Sequence, residues 1–351
     1  MQQHNHWQRY FILFTSVFTA LLLAACNAPA TQSTNTSADT SAKVRVAMLM
    51  IGSAADGGWN SSAAAGLRQL RDTYGVETEY KELTPHPDWN TVTPPDWLEA
   101  IDTYANKGYP LIFLHGRYFD KAIGEVAPKY PNTRFVLTGG NANGPNYASV
   151  TLKNEEGGYL LGVLAGLMTK SNVIGTIAGL QMRPILATVE GFKSGVRAVN
   201  PHARIIDRVL ANPTANTGMN STNGANVEAE ELITQGADII FAHATSANVG
   251  IITIAKQHNV HVVNYATDLS SIAPETVLAN GIQFVPSTMM HMFETFKDGK
   301  FEGKIYSMGL TEDAIRLSPL RENLIPDDIQ KKVDQARQDL ISGKVTMEIE
   351  R

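Results

Sequence analysis

The chain has 351 residues, of which 43% are hydrophobic, a formal net charge of −5 and a single cysteine. A net negative chain without a block of basic residues is poorly suited to nucleic acid, so we expect no nucleic-acid partner. One thiol cannot form an internal disulfide, so the core alone must stabilise the fold.

The N-terminal segment has the features of an export signal. Arg9 precedes an apolar run, Phe11 to Ala25, that is long enough for a signal-peptide core and short for a bilayer span. The run ends in Leu-Ala-Ala-Cys26, which resembles the lipobox of bacterial lipoproteins. We therefore expect 1–25 to be a signal peptide and Cys26 to be lipidated, which places the folded part outside the cytoplasm on a membrane anchor. The alternative is an ordinary secretory signal with a chance cysteine.

A polar segment separates this signal from the folded part. Residues 26–42 are rich in Ser, Thr, Ala, Asn and Gln and nearly lack large apolar residues. Such a composition cannot bury enough surface to order itself, so it predicts a disordered tether. The remaining 43–351 is large enough for two domains.

Short apolar runs alternate with longer amphipathic stretches along the folded part. The predicted strands are 44–50, 110–114, 134–138, 173–178, 203–209, 238–242 and 260–264. The predicted helices are 60–74, 97–107, 118–129, 159–169, 185–199, 226–235 and 249–258. Continuous apolar strands joined by helices are typical of parallel sheets buried on both faces. The pattern predicts an α/β fold of two doubly wound, Rossmann-like lobes.

Polar and aromatic side chains gather where the predicted strands end. In doubly wound sheets, ligands bind at the carboxyl ends of the strands. The loops at these ends are 52–60, 115–119, 139–141, 179–184, 243–246 and 265–268. A cleft lined by flat rings and hydrogen-bonding groups suits a planar, uncharged heterocycle.

The order of several motifs resembles the basic membrane protein (BMP) family of transporter-associated lipoproteins, whose members include purine-nucleoside receptors. The motifs are Asp56-Gly-Gly-Trp-Asn60 with Gly66-Leu67, Glu155-Glu-Gly-Gly-Tyr-Leu-Leu-Gly162, Met168 to Gly175, Gly191 to Pro201, Gln235 to Ile240, Thr267-Asp268 and Gly299 to Gly309. The resemblance implies a type I periplasmic-binding-protein fold with a hinge cleft, a small-molecule ligand, an ABC transporter permease as partner, and a monomer. It also implies an N-terminal lobe of 43–150 plus 269–300 and a C-terminal lobe of 151–268 plus 301–351.

Four residues in the first and the last of these loops, 52–60 and 265–268, are the main ligand candidates. Trp59 lies where nucleoside-binding relatives have a Phe that stacks on the purine, and such stacking contributes about 1–3 kcal/mol per base. The alternatives are a core tryptophan for Trp59 and a helix cap for Asn60. Asp56 binds ligand or orders the glycine turn, and Asp268 binds ligand or satisfies hinge backbone groups.

Further candidates follow other strands. They are His115, Tyr118, Phe119, Met182, Arg183, His243 and Tyr265, each weighed against a role in packing or on the surface. Two departures from the nucleoside receptors reduce the carboxylates that would hold ribose. The first loop lacks their additional aspartate, and Tyr265-Ala266 replaces a Val-Asp pair. A nucleobase is therefore as good a candidate as a nucleoside.

The sequence lacks the motifs of several enzyme classes. It contains no Gly-x-Ser-x-Gly, no His-Glu-x-x-His, no phosphate loop and no cysteine-based metal spacing. We expect a binding protein without catalytic residues, cofactor or metal. The alternatives are a sugar or autoinducer binder or a ligand-sensing lipoprotein on the same fold, and, less favoured, a nucleoside-processing enzyme.

Overall fold

A computed structural model describes residues 43–86, 92–210 and 221–347, so the predicted signal peptide, Cys26 and the tether lie outside the described residues. The described residues form one compact unit. The strands are β1 (Arg45–Ile51), β2 (Glu77–Leu83), β3 (Leu111–His115), β4 (Arg134–Thr138), β5 (Tyr147–Leu152), β6 (Val173–Ala178), β7 (Arg204–Val209), β8 (Ile239–His243), β9 (His261–Ala266), β10 (Val277–Gln283), β11 (Ile305–Met308) and β12 (Ile315–Leu317). The helices are α1 (Trp59–Tyr74), α2 (Pro95–Asn106), α3 (Asp120–Val126), α4 (Asn154–Met168), α5 (Arg183–Val199), α6 (Thr222–Thr234), α7 (Asn248–Gln257), α8 (Val285–Lys297) and α9 (Asp327–Ile341).

The strands form two six-stranded sheets in which equivalent strands have the same order. The first sheet is β11-β5-β4-β3-β1-β2 and the second is β12-β10-β9-β8-β6-β7. Neighbouring strands are parallel, apart from the antiparallel pair of β10 with β12. The predicted α/β fold with two doubly wound lobes is confirmed, and the two sheets have the same strand arrangement. None of the helices in the described ranges has the length and apolarity needed to cross a bilayer.

Both faces of each sheet are covered, which explains the continuous apolar strands. In β1, the side chains of Val46 and Met48 belong to the core beneath α1 and α8. The alternate residues Ala47 and Leu49 belong to the core beneath α2 and α3. Because successive side chains of a strand point to opposite faces, a sheet between two helix layers needs apolar residues at every position.

The chain passes between the lobes at places that differ from the expected lobe boundaries. It leaves the first lobe after β5, returns after β10, and enters the second sheet again between β11 and β12. The strand 277–283 therefore lies in the second sheet, whereas the resemblance implies that 269–300 belongs to the first lobe. The strand 305–308 lies in the first sheet, whereas the resemblance implies that 301–351 belongs to the second lobe. β10 is held in the second sheet by its parallel ladder with β9, and β11 in the first by its ladder with β5.

Helix α4, which carries the chain into the second lobe, packs on α5 through glycines. A Cβ added at Gly162 would lie 2.0 Å from the backbone oxygen of Phe192, and one at Gly195 would lie 2.0 Å from that of Tyr159. A Cβ at Gly158 would be 2.1 Å from the backbone oxygen of Thr188. These separations are far below van der Waals contact, so the two backbones can approach this closely only without side chains.

We predict that Gly162→Ala lowers the free energy of unfolding by about 1–3 kcal/mol or more, because the added methyl would force α4 and α5 apart. The measurement is urea unfolding of the chain beginning at Lys43. Gly124→Ala is the matched control, because Gly124 lies in helix α3 and a Cβ there would meet only the Tyr147 hydroxyl, at 4.0 Å. This control should stabilise by up to about 1 kcal/mol through helix propensity. Equal effects of the two substitutions would contradict the close-packing argument.

Candidate ligand-binding site

Asp56 orders the loop that leads into α1. Its Oδ1 accepts hydrogen bonds from the backbone N–H groups of Gly58 (2.8 Å) and Ser61 (3.0 Å), and its Oδ2 accepts from that of Asn60 (3.0 Å). The Ser61 hydroxyl also donates to Oδ1, at 2.9 Å. Asp56 therefore satisfies N–H groups at the start of the helix that have no intrahelical partner. Burial raises the pKa of Asp56, but these hydrogen bonds outweigh it and leave the pKa below the ordinary value.

Asn60 is the second residue of α1 and does not act as its cap. Its side-chain amide donates to the backbone oxygen of Ile51, at 3.0 Å. This bond ties the first turn of the helix to the end of β1. The loop before Trp59 is thus fixed from both ends, by Asp56 and by Asn60.

Trp59 lies on the imidazole of His115. The two rings are stacked with centroids 4.5 Å apart and an angle of 24° between their planes. The indole is half-buried, and its edge lies 3.2 Å from the place a Cβ would take at Gly139. The sequence-predicted Trp59, His115 and the loop at Gly139 are therefore brought together at the carboxyl edge of the first sheet.

His115 is held by two hydrogen bonds that define its tautomer. Nε2 lies 3.1 Å from the backbone oxygen of Trp59, and Nδ1 lies 2.6 Å from the hydroxyl of Thr138. A carbonyl oxygen can only accept, so Nε2 carries the proton and Nδ1 accepts from Thr138. Burial lowers the pKa of His115 to about 4, so the ring is neutral at physiological pH. His115 thus positions Trp59 and has no nitrogen left for a ligand.

A chain of buried asparagines orders the loops at the carboxyl edge of the second sheet. Asn248 accepts from the backbone N–H of Ala244 (2.7 Å) and donates to Asn264 (2.7 Å). Asn264 donates to Asn280 (3.0 Å), which donates to the exposed carboxylate of Asp268 (3.0 Å). The network fixes the loops after β8 and β9 relative to each other and orients Asp268.

Sequence reasoning missed these three asparagines as contributors to the site. Asn264 and Asn280 are 0% exposed and interrupt the apolar runs of β9 and β10. A polar residue inside a strand that is otherwise wholly apolar needs a buried partner. That interruption was the signal that could have identified the network.

The ordered edges of the two sheets meet. A Cβ added at Gly58 would lie 3.8 Å from Cγ2 of Thr245 and 3.9 Å from Cγ2 of Thr267. Gly58 precedes Trp59 in the first lobe, whereas the two threonines belong to the asparagine-ordered loops of the second. The Trp59 platform and the loops after β8 and β9 therefore border one interlobe region.

Phe119, expected as a ligand residue, is a core residue, and Tyr118 packs on the same tryptophan, Trp97. Phe119 is 0% exposed and packs in the first-lobe core, its ring centroid 5.9 Å from that of Trp97. Tyr118 is half-buried and approaches the same tryptophan edge-on, at 6.2 Å. The short 3₁₀ turn that follows β3, Arg117–Phe119, places both rings against Trp97 in the first-lobe core.

Tyr265 is also buried away from the cleft. It is 0% exposed, and its hydroxyl lies 3.1 Å from Oδ1 of Asn154 at the start of α4. The ring occupies the space beside Gly281, where a Cβ would lie 2.4 Å from it. Tyr265 therefore ties strand β9 to the start of helix α4 and does not supply a second stacking ring. Met182 is half-buried against the second-lobe core, and Arg183 is exposed at the start of α5.

His243 is buried at the carboxyl end of β8. It is 4% exposed, and its ring centroid lies 4.7 Å from that of Tyr265. Burial lowers its pKa to about 3, so this imidazole is also neutral. Across the residues that the structure describes, no group of three or more His, Cys, Asp or Glu side chains could hold a metal ion. The arrangement offers an aromatic platform and neutral hydrogen-bonding groups, which suits an uncharged ring system.

Residues 43–349 match the family model described as ABC transporter substrate-binding protein PnrA-like. The chain is 25% identical to the transcriptional activator protein Med of Bacillus subtilis, over 82% of this chain and 86% of that one. It is 25% identical to a purine-binding protein of Brucella abortus, over 86% of this chain and 82% of that one. An ABC transporter solute-binding protein from Conexibacter woesei has the same fold, with a TM-score of 0.71 and 23% identity over 87% of this chain and 98% of that one.

We predict that the free energy of unfolding falls as pH is lowered from about 6.5 towards about 4. Unfolded histidines take up protons below their ordinary pKa of 6.5, whereas folded His115 and His243 stay neutral until pKa values of about 4 and about 3. The folded state therefore binds fewer protons in this window, and each histidine contributes a slope of up to about 1.4 kcal/mol per pH unit.

Urea unfolding at a series of pH values measures this slope. The non-titrating variants His115→Asn and His243→Asn should each reduce the slope by up to about 1.4 kcal/mol per pH unit, the contribution of one proton. An unchanged slope in the double variant would show that other groups cause the acid sensitivity.

Proposed function

The chain belongs to the PnrA-like family of ABC transporter substrate-binding proteins, and on this basis we propose that it captures a purine nucleobase or nucleoside outside the cytoplasm and delivers it to an ABC importer. The observation that carries the proposal is the position of Trp59. Its indole is fixed by His115 on one side and remains half-exposed at the edge where the two lobes meet. A rigid aromatic ring in a border region between two lobes is a suitable stacking surface for a flat heterocycle.

The hydrogen bonds of Asp56 and the neutral imidazoles support an uncharged ligand, and the engagement of Asp56 favours the base over the sugar. The Asp56 carboxylate accepts hydrogen bonds from Gly58, Asn60 and Ser61 within its own loop. It is therefore engaged by the protein and poorly placed to bind ribose hydroxyls. Both nearby imidazoles are neutral. A purine ring, with its π-face and its edge of ring nitrogens, matches these groups, and the Brucella abortus relative is named as purine-binding.

The N-terminus supports a lipid-anchored location. The Leu-Ala-Ala-Cys26 motif followed by the polar segment 26–42 would attach the folded lobes to a membrane surface through acylated Cys26. Ligand contacts from both lobes would favour a closed form, by no more than the difference in affinity between open and closed states. The closed monomer would then dock on the permease.

Ligand sensing is a second candidate function, favoured by the similarity to a protein named as a transcriptional activator. Uptake measurements separate the two functions. Cells lacking this chain should lose accumulation of radiolabelled purine if the protein feeds an importer, whereas a sensor would leave initial uptake rates unchanged.

We predict that Trp59→Leu weakens binding of the purine that binds wild type best by about 5- to 150-fold, the equivalent of 1–3 kcal/mol of stacking per base. Leu retains apolar contact with His115 but has no aromatic face. Trp59→Phe should retain most of the affinity. The measurement is isothermal titration calorimetry with adenine, guanine, hypoxanthine and their nucleosides.

Tyr80→Leu is the matched control, because Tyr80 is 50% exposed on the edge strand β2 and faces solvent. It should leave affinity unchanged. Undiminished binding by Trp59→Leu would remove Trp59 from the site, and a wild-type chain that binds none of the purines would refute the proposed ligand class.

A further inference from the structure

His115 and His243 occupy equivalent positions in the two lobes. The third strand along the chain in the first lobe reads Leu-Ile-Phe-Leu-His115, and its counterpart in the second reads Ile-Ile-Phe-Ala-His243. Both strands lie at the same place in their sheets, β3 between β4 and β1, and β8 between β9 and β6. Each histidine is the last residue of its strand, at the carboxyl edge where ligands bind in this kind of sheet.

The two imidazoles nevertheless differ in their hydrogen bonds. Both nitrogens of His115 have protein partners, the Thr138 hydroxyl and the backbone oxygen of Trp59. Among the described residues, Nδ1 of His243 is buried and has no hydrogen-bond partner. A buried polar atom without a partner loses its hydration without compensation, and such atoms are rare in folded proteins.

The neighbouring strands explain this difference. Beside His115 in the ladder lie Met50 on β1 and Thr138 on β4. Beside His243 lies Ala178 on β6, and the ladder with β9 brings Tyr265 to the other side. Where the first lobe supplies a threonine hydroxyl, the second therefore supplies a tyrosine ring whose hydroxyl is turned to Asn154. Ala178 is also much smaller than Met50, so it fills less of the space beside the imidazole.

His243 also lies next to the region between the lobes. Thr245, two residues further along the chain, is in the loop that approaches Gly58 of the first lobe. The backbone of this loop is fixed by Asn248, which accepts from the N–H of Ala244 at 2.7 Å. The unpartnered Nδ1 thus belongs to the last residue of β8, next to the ordered second-lobe loop that borders the Trp59 platform.

We propose that His243 is the second lobe's ligand-binding residue, and that its Nδ1 forms a hydrogen bond with a ring nitrogen or N–H group at the edge of the bound heterocycle. This inference rests on the proposed function and extends it by giving the two equivalent histidines different roles. His115 positions the aromatic platform in the first lobe, and His243 contacts the ligand edge from the second. The neutral imidazole of His243 suits an uncharged heterocycle. Purines that present different hydrogen-bonding groups at their ring edge should therefore bind with different affinities.

Three variants test the proposal. His243→Phe keeps a ring against Tyr265 but removes the hydrogen bond, so it should weaken purine binding by about 10- to 100-fold. His243→Asn places an amide atom near the position of Nδ1 and should restore most of that loss. His261→Phe is the matched control, because Nδ1 of His261 is also buried with no partner in the described ranges, but His261 lies at the opposite, amino end of strand β9. It should leave binding unchanged.

The measurements are calorimetric titrations with the adenine, guanine, hypoxanthine and nucleoside panel, together with urea unfolding of each ligand-free variant. Removing an unpartnered group should leave the ligand-free His243→Phe chain as stable as wild type, whereas a structural histidine would lower its stability. In wild type, ligand should also shift the ¹⁵N resonance of His243 Nδ1.

The outcomes test the role of His243 separately from the proposed purine-binding function. Purine binding by wild type with equal binding by His243→Phe, or destabilisation of the ligand-free variant, would overturn the role of His243 and leave the proposed function standing. A wild-type chain that binds no member of the panel would overturn the proposed function, and the inference about His243 with it. A selective loss in His243→Phe that His243→Asn restores would support both.

Discussion

The contact of helix α4 with helix α5 is the constraint on which the two-lobed arrangement depends. Helix α4 carries the chain into the second lobe, and glycines at the contact allow the two backbones to touch. The start of this helix is also where the lobes are joined. Asn154 accepts from the side chain of Gln283 at 2.8 Å and lies against the Tyr265 hydroxyl, while Glu156 accepts from the backbone of Leu310 at 2.7 Å. A shift of α4 would therefore move the connections between the lobes together.

The two lobes have equivalent features at the site, but the side chains around them differ. Each lobe presents a histidine at the end of an equivalent strand and a loop ordered by buried polar groups. In the first lobe, Asp56 and His115 are fully engaged in holding Trp59. In the second, the asparagine network orders the loops, and within the part of the chain that the structure describes Nδ1 of His243 has no hydrogen-bond partner. A pair of lobes built in this way has one rigid aromatic surface and one neutral hydrogen-bonding group, which is consistent with a flat ligand held between them.

Most elements were predictable because their patterns are local. The bounds of β4 and β6 match their apolar runs residue for residue. Strand β2 was missed because it lies at a sheet edge, where Glu77, Lys81 and Glu82 face solvent. Strand β10 was missed because Asn280-Gly281 has the composition of a turn. In the folded chain, Asn280 finds buried partners and Gly281 makes room for a tyrosine ring.

The α/β class, the two lobes and the family can be read from the sequence, because they follow from periodicity and from short contiguous motifs. The side chains that border the cleft are set by packing between distant segments. His115 and His243 have nearly the same local sequence, yet both nitrogens of His115 are hydrogen-bonded, whereas Nδ1 of His243 has no partner among the described residues. The physical reason is that a buried polar atom is satisfied by residues on neighbouring strands, here Thr138 or Tyr265. Those neighbours are set by sheet register between segments distant in the chain, which no local pattern records.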